Sequence, residues 1–248
     1  MTLGLAVGTL AVACGGGSQE TAAPAAPITN PVDPATAGNI TGQVTFAGTP
    51  PTPAAVRMDA DPNCQPQGGT ATDESVVVGE GGALQNAFVY VKDGLGDLRF
   101  PVSPTTIVLD QKGCRYVPHV LGVQVGQPVD VLNSDPTLHN VHAVPQANQE
   151  FNTGQPLPGM KHTHRFSTRE VMVPFKCDVH PWMRAWVGVL DHPYFAVTGP
   201  NGAFELKGLP PGTYTLEAWH ETLGTATQTV TIAAKETGTV AFSFKSTN

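Results

Sequence analysis

From Asn39 onward, apolar residues recur at every second position in short runs broken by Gly, Pro and Asn. That period places alternate side chains on opposite faces of an extended chain and predicts strands. ITGQVTFAG (40–48) alternates around Val44 and Phe46 and is stopped by TPPTP. NAFVYVKDG (86–94) puts Phe88 and Tyr90 on one face, Val89 and Val91 on the other. VLGVQVGQPVDVLNSD (120–135) reads as two strands hinged at Gly126, Gln127 and Pro128. EVMVPFKC (170–177) places Val171, Val173, Phe175 and Cys177 on one face, so the thiol points the same way as an apolar row. RAWVGVL (184–190) continues as a further strand. Between 195 and 221, PNG and LPPGTY turn three more strands against one another, with Tyr214, Leu216 and Ala218 sharing a face. No stretch sustains a helical period, so almost no helix is expected.

Composition agrees with short strands and turns. The 248 residues include 27 Gly and 23 Pro, and 40% are hydrophobic, enough for one large or two ordinary cores. Only 13% are charged, against about 25% in average soluble domains. A net charge of -7 with no basic stripe argues against nucleic acid as a partner.

The first fourteen residues, MTLGLAVGTLAVAC, are apolar and end in small residues before Cys14. They resemble a bacterial lipoprotein export signal, which implies lipidation of Cys14 and a periplasmic or cell-surface protein anchored to the membrane. The run is too short for a transmembrane helix. Residues 15–38, rich in Gly, Ser, Ala and Pro without periodicity, read as a flexible, disordered linker.

The closing pattern, GAFELKGLPPGTYTL, resembles the carboxypeptidase regulatory-like, transthyretin-type β-sandwich. The opening strands of that family resemble GQVTFAGTPP and LQNAFVYVK, which lie far upstream here. The expectation is therefore an all-β chain in which the smaller, transthyretin-like sandwich (39–102 and 192–248) is split by a second sandwich at 103–191. Two consecutive domains, with 39–100 belonging to the first, are the alternative.

The inserted block carries the chemistry. CDVHPWM (177–183) offers a thiolate, an imidazole and a thioether from one loop, and NSDPTLHNVH (133–142) offers a second imidazole, His139 or His142. One thiolate, two imidazoles and a weak axial thioether form the donor set of a blue copper site. Zinc is the weaker rival, because it prefers nitrogen, oxygen or thiolate to a thioether. The block resembles a cupredoxin, a Greek-key β-sandwich, and within that family amicyanin, with its Cys-x-x-His-x-x-Met loop and upstream HNVH. The resemblance implies His139, Cys177, His180 and Met183 as ligands of one type 1 copper cycling between Cu(I) and Cu(II). It also implies that Asn140 ties the two ligand loops together, and that the outer edge of His180 sits in an apolar docking patch with Pro181 and Trp182. His142 reads as a packing or supporting residue. His162 and His164 share a strand face, a solvated face or a looser metal site. His119, His192 and His220 carry no readable pattern.

Of four cysteines, Cys14 and Cys177 are thus assigned, and Cys64 and Cys114 are expected to pair in an oxidising compartment. Related copper oxidases and nitrite reductases place a His before the copper Cys; Lys176 stands there instead, and no phosphate loop or nucleophile elbow is present. The chain reads as a one-electron carrier with a redox partner protein, not an enzyme. The alternative is a cell-surface module that stores or delivers copper, or binds protein or carbohydrate, though no specific residue points to a sugar.

Overall fold

The computed structural model of the chain describes residues 28–64 and 71–246, together with residues 1, 2 and 4. The expected lipidated Cys14 and the linker up to residue 27 lie outside the described residues. The end of the linker is more ordered than its composition suggests: Val32 is buried against a core and Asp33 accepts the N–H groups of a turn, so order begins before residue 38.

The fold is all-β, with two single-turn 3-10 segments, Pro62–Cys64 and Glu80–Gly82, as the helical elements among the described residues. Strands β1 (Gly38–Phe46) and β2 (Phe88–Asp93) come first. Nine follow: β3 (Ile107–Gln111), β4 (Tyr116–Val117), β5 (Val120–Gln124), β6 (Val129–Asn133), β7 (His139–Ala143), β8 (Phe151–Gln155), β9 (Lys161–His164), β10 (Glu170–Lys176) and β11 (Arg184–Leu190). The last are β12 (Phe195–Val197), β13 (Ala203–Leu209), β14 (Gly212–His220), β15 (Gly224–Ile232) and β16 (Thr237–Phe244).

Pairing sorts these into four sheets. The sheets β13-β1-β16 and β12-β2-β14-β15 join strands from both ends of the chain, and between them lies an apolar core of Ile40, Val44, Phe46, Val89, Val91, Leu206, Leu216 and Phe242 among others. The sheets β4-β3-β6-β9 and β5-β11-β10-β7-β8 contain only strands from the middle, and enclose a second core that includes Leu109, Val123, Val131, Val141, Phe175 and Val187. Consecutive strands change sheet at the Gly126–Pro128 hinge, where β5 and β6 part company.

Because β2 alternates apolar residues on both faces, it serves two cores. Val89 and Val91 face the outer sandwich, while Phe88 and Tyr90 join Val120, Met172 and Leu190 in a third cluster between the sandwiches. Two glycines make that junction close. Gly122 and Gly188 are partners across the β5–β11 ladder. A Cβ on Gly188 would lie 2.4 Å from the Phe88 ring, and one on Gly122 2.3 Å from the Phe195 ring. Bare backbone is what lets the rings seat there; burying a Phe side chain contributes roughly 1.5–3 kcal/mol.

One face assignment needs correction. Val173, Phe175 and Cys177 do share the middle core, but Val171 packs on the third cluster instead. The β10–β11 ladder is irregular between Glu170 and Val173, and a slip of one residue moves a side chain to the other face.

Candidate metal centre

The centre forms where β7 begins and β10 ends. Lys176 pairs with His142 across these strands, so the residues just beyond, His139 and Cys177, meet at the same end of the sheet. Buried Tyr116 fastens this end, its hydroxyl lying 2.7 Å from the Asn140 carbonyl and 3.0 Å from that of Lys176. Asn133 shapes the loop that delivers His139: its amide donates to the Thr137 and Gln155 carbonyls, and its Oδ1 accepts the Asp135 N–H at 2.9 Å.

The loop 177–183 closes on itself. Cys177 N–H donates to the Met183 carbonyl (3.2 Å), and Met183 N–H to that of His180 (2.9 Å). Asn140 joins this loop to β7: its Oδ1 accepts Asp178 N–H at 2.6 Å, and its amide donates to Asn152 and Asp178. Its own backbone N–H points at Cys177 Sγ, 3.5 Å away.

Within this frame, the donor atoms of His139, Cys177 and His180 all lie within 4.8 Å of one another and all three residues are buried. The two Nδ1 atoms converge to 2.9 Å, and Cys177 Sγ is 3.9 Å from His180 Nδ1. Met183, buried in the same core, completes the loop's donors. The outer nitrogens are held by carboxylates: His139 Nε2 by Asp135 (2.9 Å) and His180 Nε2 by Asp61 (3.2 Å). A proton arrangement that satisfies the imidazole and carboxylate contacts follows. His139 donates from Nε2 to Asp135 and from Nδ1 to His180, which in turn donates from Nε2 to Asp61. A cation that took both Nδ1 lone pairs would release the shared proton.

The charges fit that arrangement. Burial alone would depress the His139 imidazole, but Asp135 and the Cys177 thiolate outweigh it and hold it up to about 9. Burial pushes the Cys177 thiol up, yet His139 and the N–H groups of Asn140, His180 and Val179 bring it below its ordinary value. His180 is lowered, by burial first and then by the neighbouring His139 charge. A stabilised thiolate between two imidazoles, with a thioether on the same loop and water excluded, suits copper; zinc would lack a fourth strong donor. Two further donor groupings, Asp61–Cys64–His180 and Cys114–Asp135–His139, offer no thiolate, since Cys64 and Cys114 form a disulfide with a Cα–Cα distance of 5.3 Å.

Residues 184–245 match the family model of the carboxypeptidase regulatory-like domain. The match starts at the first residue of β11, a strand that pairs with β10 and β5 in the middle sandwich, and leaves out β1 and β2. Among solved structures, the chain is similar to a reduced tryptophan-to-tyrosine variant of amicyanin, at 29% identity over 36% of this chain and 85% of that one, with a TM-score of 0.31. It is similar to a purple cupredoxin from Nitrosopumilus maritimus, at 25% identity over 34% of this chain and 98% of that one, TM-score 0.29. A copper-containing nitrite reductase from Thermus scotoductus is 20% identical, over 38% of this chain and only 24% of that one, TM-score 0.34. No curated protein matches the chain in sequence.

Several residues stand differently from the sequence-based expectation. The outer edge of His180, expected to be exposed in a docking patch, is covered: the residue is 2% exposed, behind Asp61 and Cys64. Trp182 is half-buried, and its indole N–H donates to the Cys114 carbonyl at 3.0 Å, while Pro181 is exposed. His142 lies outside the donor cluster, bridging Asp178 (2.8 Å) and Glu150 (2.7 Å). His162 and His164 stack on Phe151 at 4.9 and 4.2 Å between centroids, so their face is half-buried rather than solvated. Asp135, Asp61 and Tyr116 went unmarked in the sequence. Asp135 had a local signal, four residues before His139 in NSDPTLHN; Asp61 is 119 positions from His180 and had none.

Proposed function

We propose that the protein is a copper-binding electron carrier whose type 1 centre is held by His139, Cys177, His180 and Met183. The observation that carries this reading is the convergence of both imidazole Nδ1 atoms on one point beside a stabilised thiolate. Bound copper would supply a one-electron couple between Cu(I) and Cu(II). The chain's own part is to hold the donors still. Asp135 fixes the His139 tautomer, Asn140 and Tyr116 lock the two ligand loops, and burial of Cys177, His139 and Met183 excludes water. Lys176, in the position next to the thiolate, is exposed and paired with Asp178 at 3.1 Å, which supports a carrier over an oxidase wired to a second metal.

The covered edge of His180 favours a second reading, copper storage or delivery without fast electron exchange. The domain plan we infer is a regulatory-like sandwich of 39–102 and 192–248 with the copper block of 103–191 inserted, supported by the pairing of β1 and β2 with C-terminal strands. Export, lipid anchoring at Cys14 and a redox partner protein remain part of the proposal; among the described residues no helix is long and apolar enough to cross a membrane. Purified protein titrated with Cu(II) should develop an intense visible thiolate-to-copper band and a narrow-hyperfine EPR signal. Colourless copper binding would overturn the type 1 centre. A reversible couple with rapid exchange supports the carrier, whereas tight Cu(I) binding with ready transfer to a chelator supports delivery.

A further inference from the structure

A strap of chain, from Met58 to Cys64, lies against the Nε2 edge of His180. Met58 and Cys64 anchor it by burial in the middle core, and Cys64 N–H donates to the Asp61 carbonyl at 3.0 Å. Asp61 stands at its crest, its Oδ2 accepting from Thr137 Oγ1 at 2.6 Å and lying 3.2 Å from His180 Nε2. Cys64 Sγ is 3.6 Å from the same nitrogen. The disulfide carries the strap to Cys114, whose N–H donates to Asp135 at 2.8 Å, the carboxylate that holds His139. Each half of the disulfide therefore stands behind one of the two imidazoles. On the ligand loop, Val179 and Pro181 are exposed and Trp182 covers one side of the His180 ring, with centroids 5.0 Å apart. The Nε2 edge is covered by the strap, through Asp61 and Cys64.

We propose that Asp61 is a positioning residue for His180, and that the strap bearing it, fastened by Cys64–Cys114, closes the imidazole edge of the centre. By accepting the Nε2 proton, Asp61 fixes the tautomer that leaves the His180 Nδ1 lone pair on the inner side, 2.9 Å from His139 Nδ1 and 3.9 Å from Cys177 Sγ. Its charge, set behind the imidazole, favours the more highly charged state of a bound metal. The strap requires no metal to act; the effect on redox balance rests on the copper reading above.

The test has one arm for each part. In the metal-free full-length chain, diethyl pyrocarbonate labelling of His180 is followed by peptide mass spectrometry. His180 should label slowly in the wild type and at least about thirtyfold faster in Cys64→Ser/Cys114→Ser, the population change expected when a loop-closing cross-link is lost. His142, which the strap does not touch, should label at an unchanged rate. Equal labelling of His180 in both proteins overturns the closure. Should the double variant fail to fold by circular dichroism, Asp61→Ala and Thr137→Ala, which keep the disulfide, must each speed labelling; if neither does, the inference falls. In the copper-loaded chain, Asp61→Asn should weaken Cu(II) binding by about 10–100-fold and raise the reduction potential, with Asp61→Glu recovering most of both. An Asp61→Asn protein indistinguishable from wild type removes the positioning role. Protection of His180 without a thiolate-to-copper band leaves the strap standing and sinks the copper centre, and the band without protection does the reverse.

Discussion

The core of the outer sandwich, from Val32 to Phe244, is a continuous apolar cluster whose Tyr194 and Tyr214 hydroxyls reach backbone carbonyls, and its buried polar groups, Thr198, Glu217, His192 and His220, do not gather at one place. The middle sandwich buries Gln111, Asn133, Asp135, His139, Asn140 and Gln155 at one end of an otherwise similar core. Buried polar groups are costly unless paired, and pairing constrains position as well as energy. Here the polar end is a hydrogen-bonded frame around Cys177, so the difference between the sandwiches separates a scaffold from a site. Exchange of one apolar shape for another is expected to cost little in the outer core and more at the polar end of the middle core, where each partner is hydrogen-bonded.

The largest effect that would break this comparison is chemical. Cys177→Ala should abolish the visible copper band completely while far-UV circular dichroism stays that of the folded protein. Survival of the band in that variant would move the centre elsewhere.

A second test lies at the histidines of the outer sandwich and its borders. His192 and His220 are both pushed down to about 4, chiefly by burial. Their Nδ1 atoms accept the Tyr194 and Thr222 N–H groups, which requires the neutral ring. Above the ordinary histidine value both states are neutral and pH has no effect through these groups. As pH falls from 6.5 toward 4, the unfolded chain takes up protons that the folded one refuses, so stability is lost, and the loss levels off below 4. Each contributes on the order of 3 kcal/mol to that loss. Urea unfolding of the metal-free protein at stepped pH should show the slope, and His192→Gln should reduce it; a flat profile across this window contradicts the burial.

Smaller effects sharpen the boundary between the halves. Gly188→Ala drives a Cβ into the Phe88 ring and should cost about 1–3 kcal/mol by denaturant midpoint, without altering copper spectra. Tyr116→Phe removes the hydroxyl shared by the Asn140 and Lys176 carbonyls and should cost about 1 kcal/mol. Unlike the glycine change, it should also shift the copper band, because those carbonyls flank the two ligand loops.

Much of this was legible in the chain. Period-two alternation located the strands, and the two faces of Phe88–Val91 were readable because one residue's side determines its neighbour's. The loop 177–183 was readable because its donors are close in sequence, and the structure gathers Cys177 and His180 with His139. Val171 was misplaced because a ladder irregularity leaves no compositional trace. The strap was invisible for a different reason. Asp61 meets His180 and Thr137 only through long-range folding, and nothing in DPNC distinguishes a carboxylate paired with a buried imidazole from one in a surface turn.

Strands β2 and β12 are antiparallel neighbours, with Phe195 opposite Tyr90. The chain therefore leaves and re-enters the outer sandwich at adjacent points. Such paired exits are where whole domains can be spliced in or out with little disturbance to the host. A short hairpin could bridge them, but it would bare Phe88, Tyr90 and Phe195 together. The excised host would then carry a sticky aromatic face, and would need a few polar replacements there before it could live as a free-standing module.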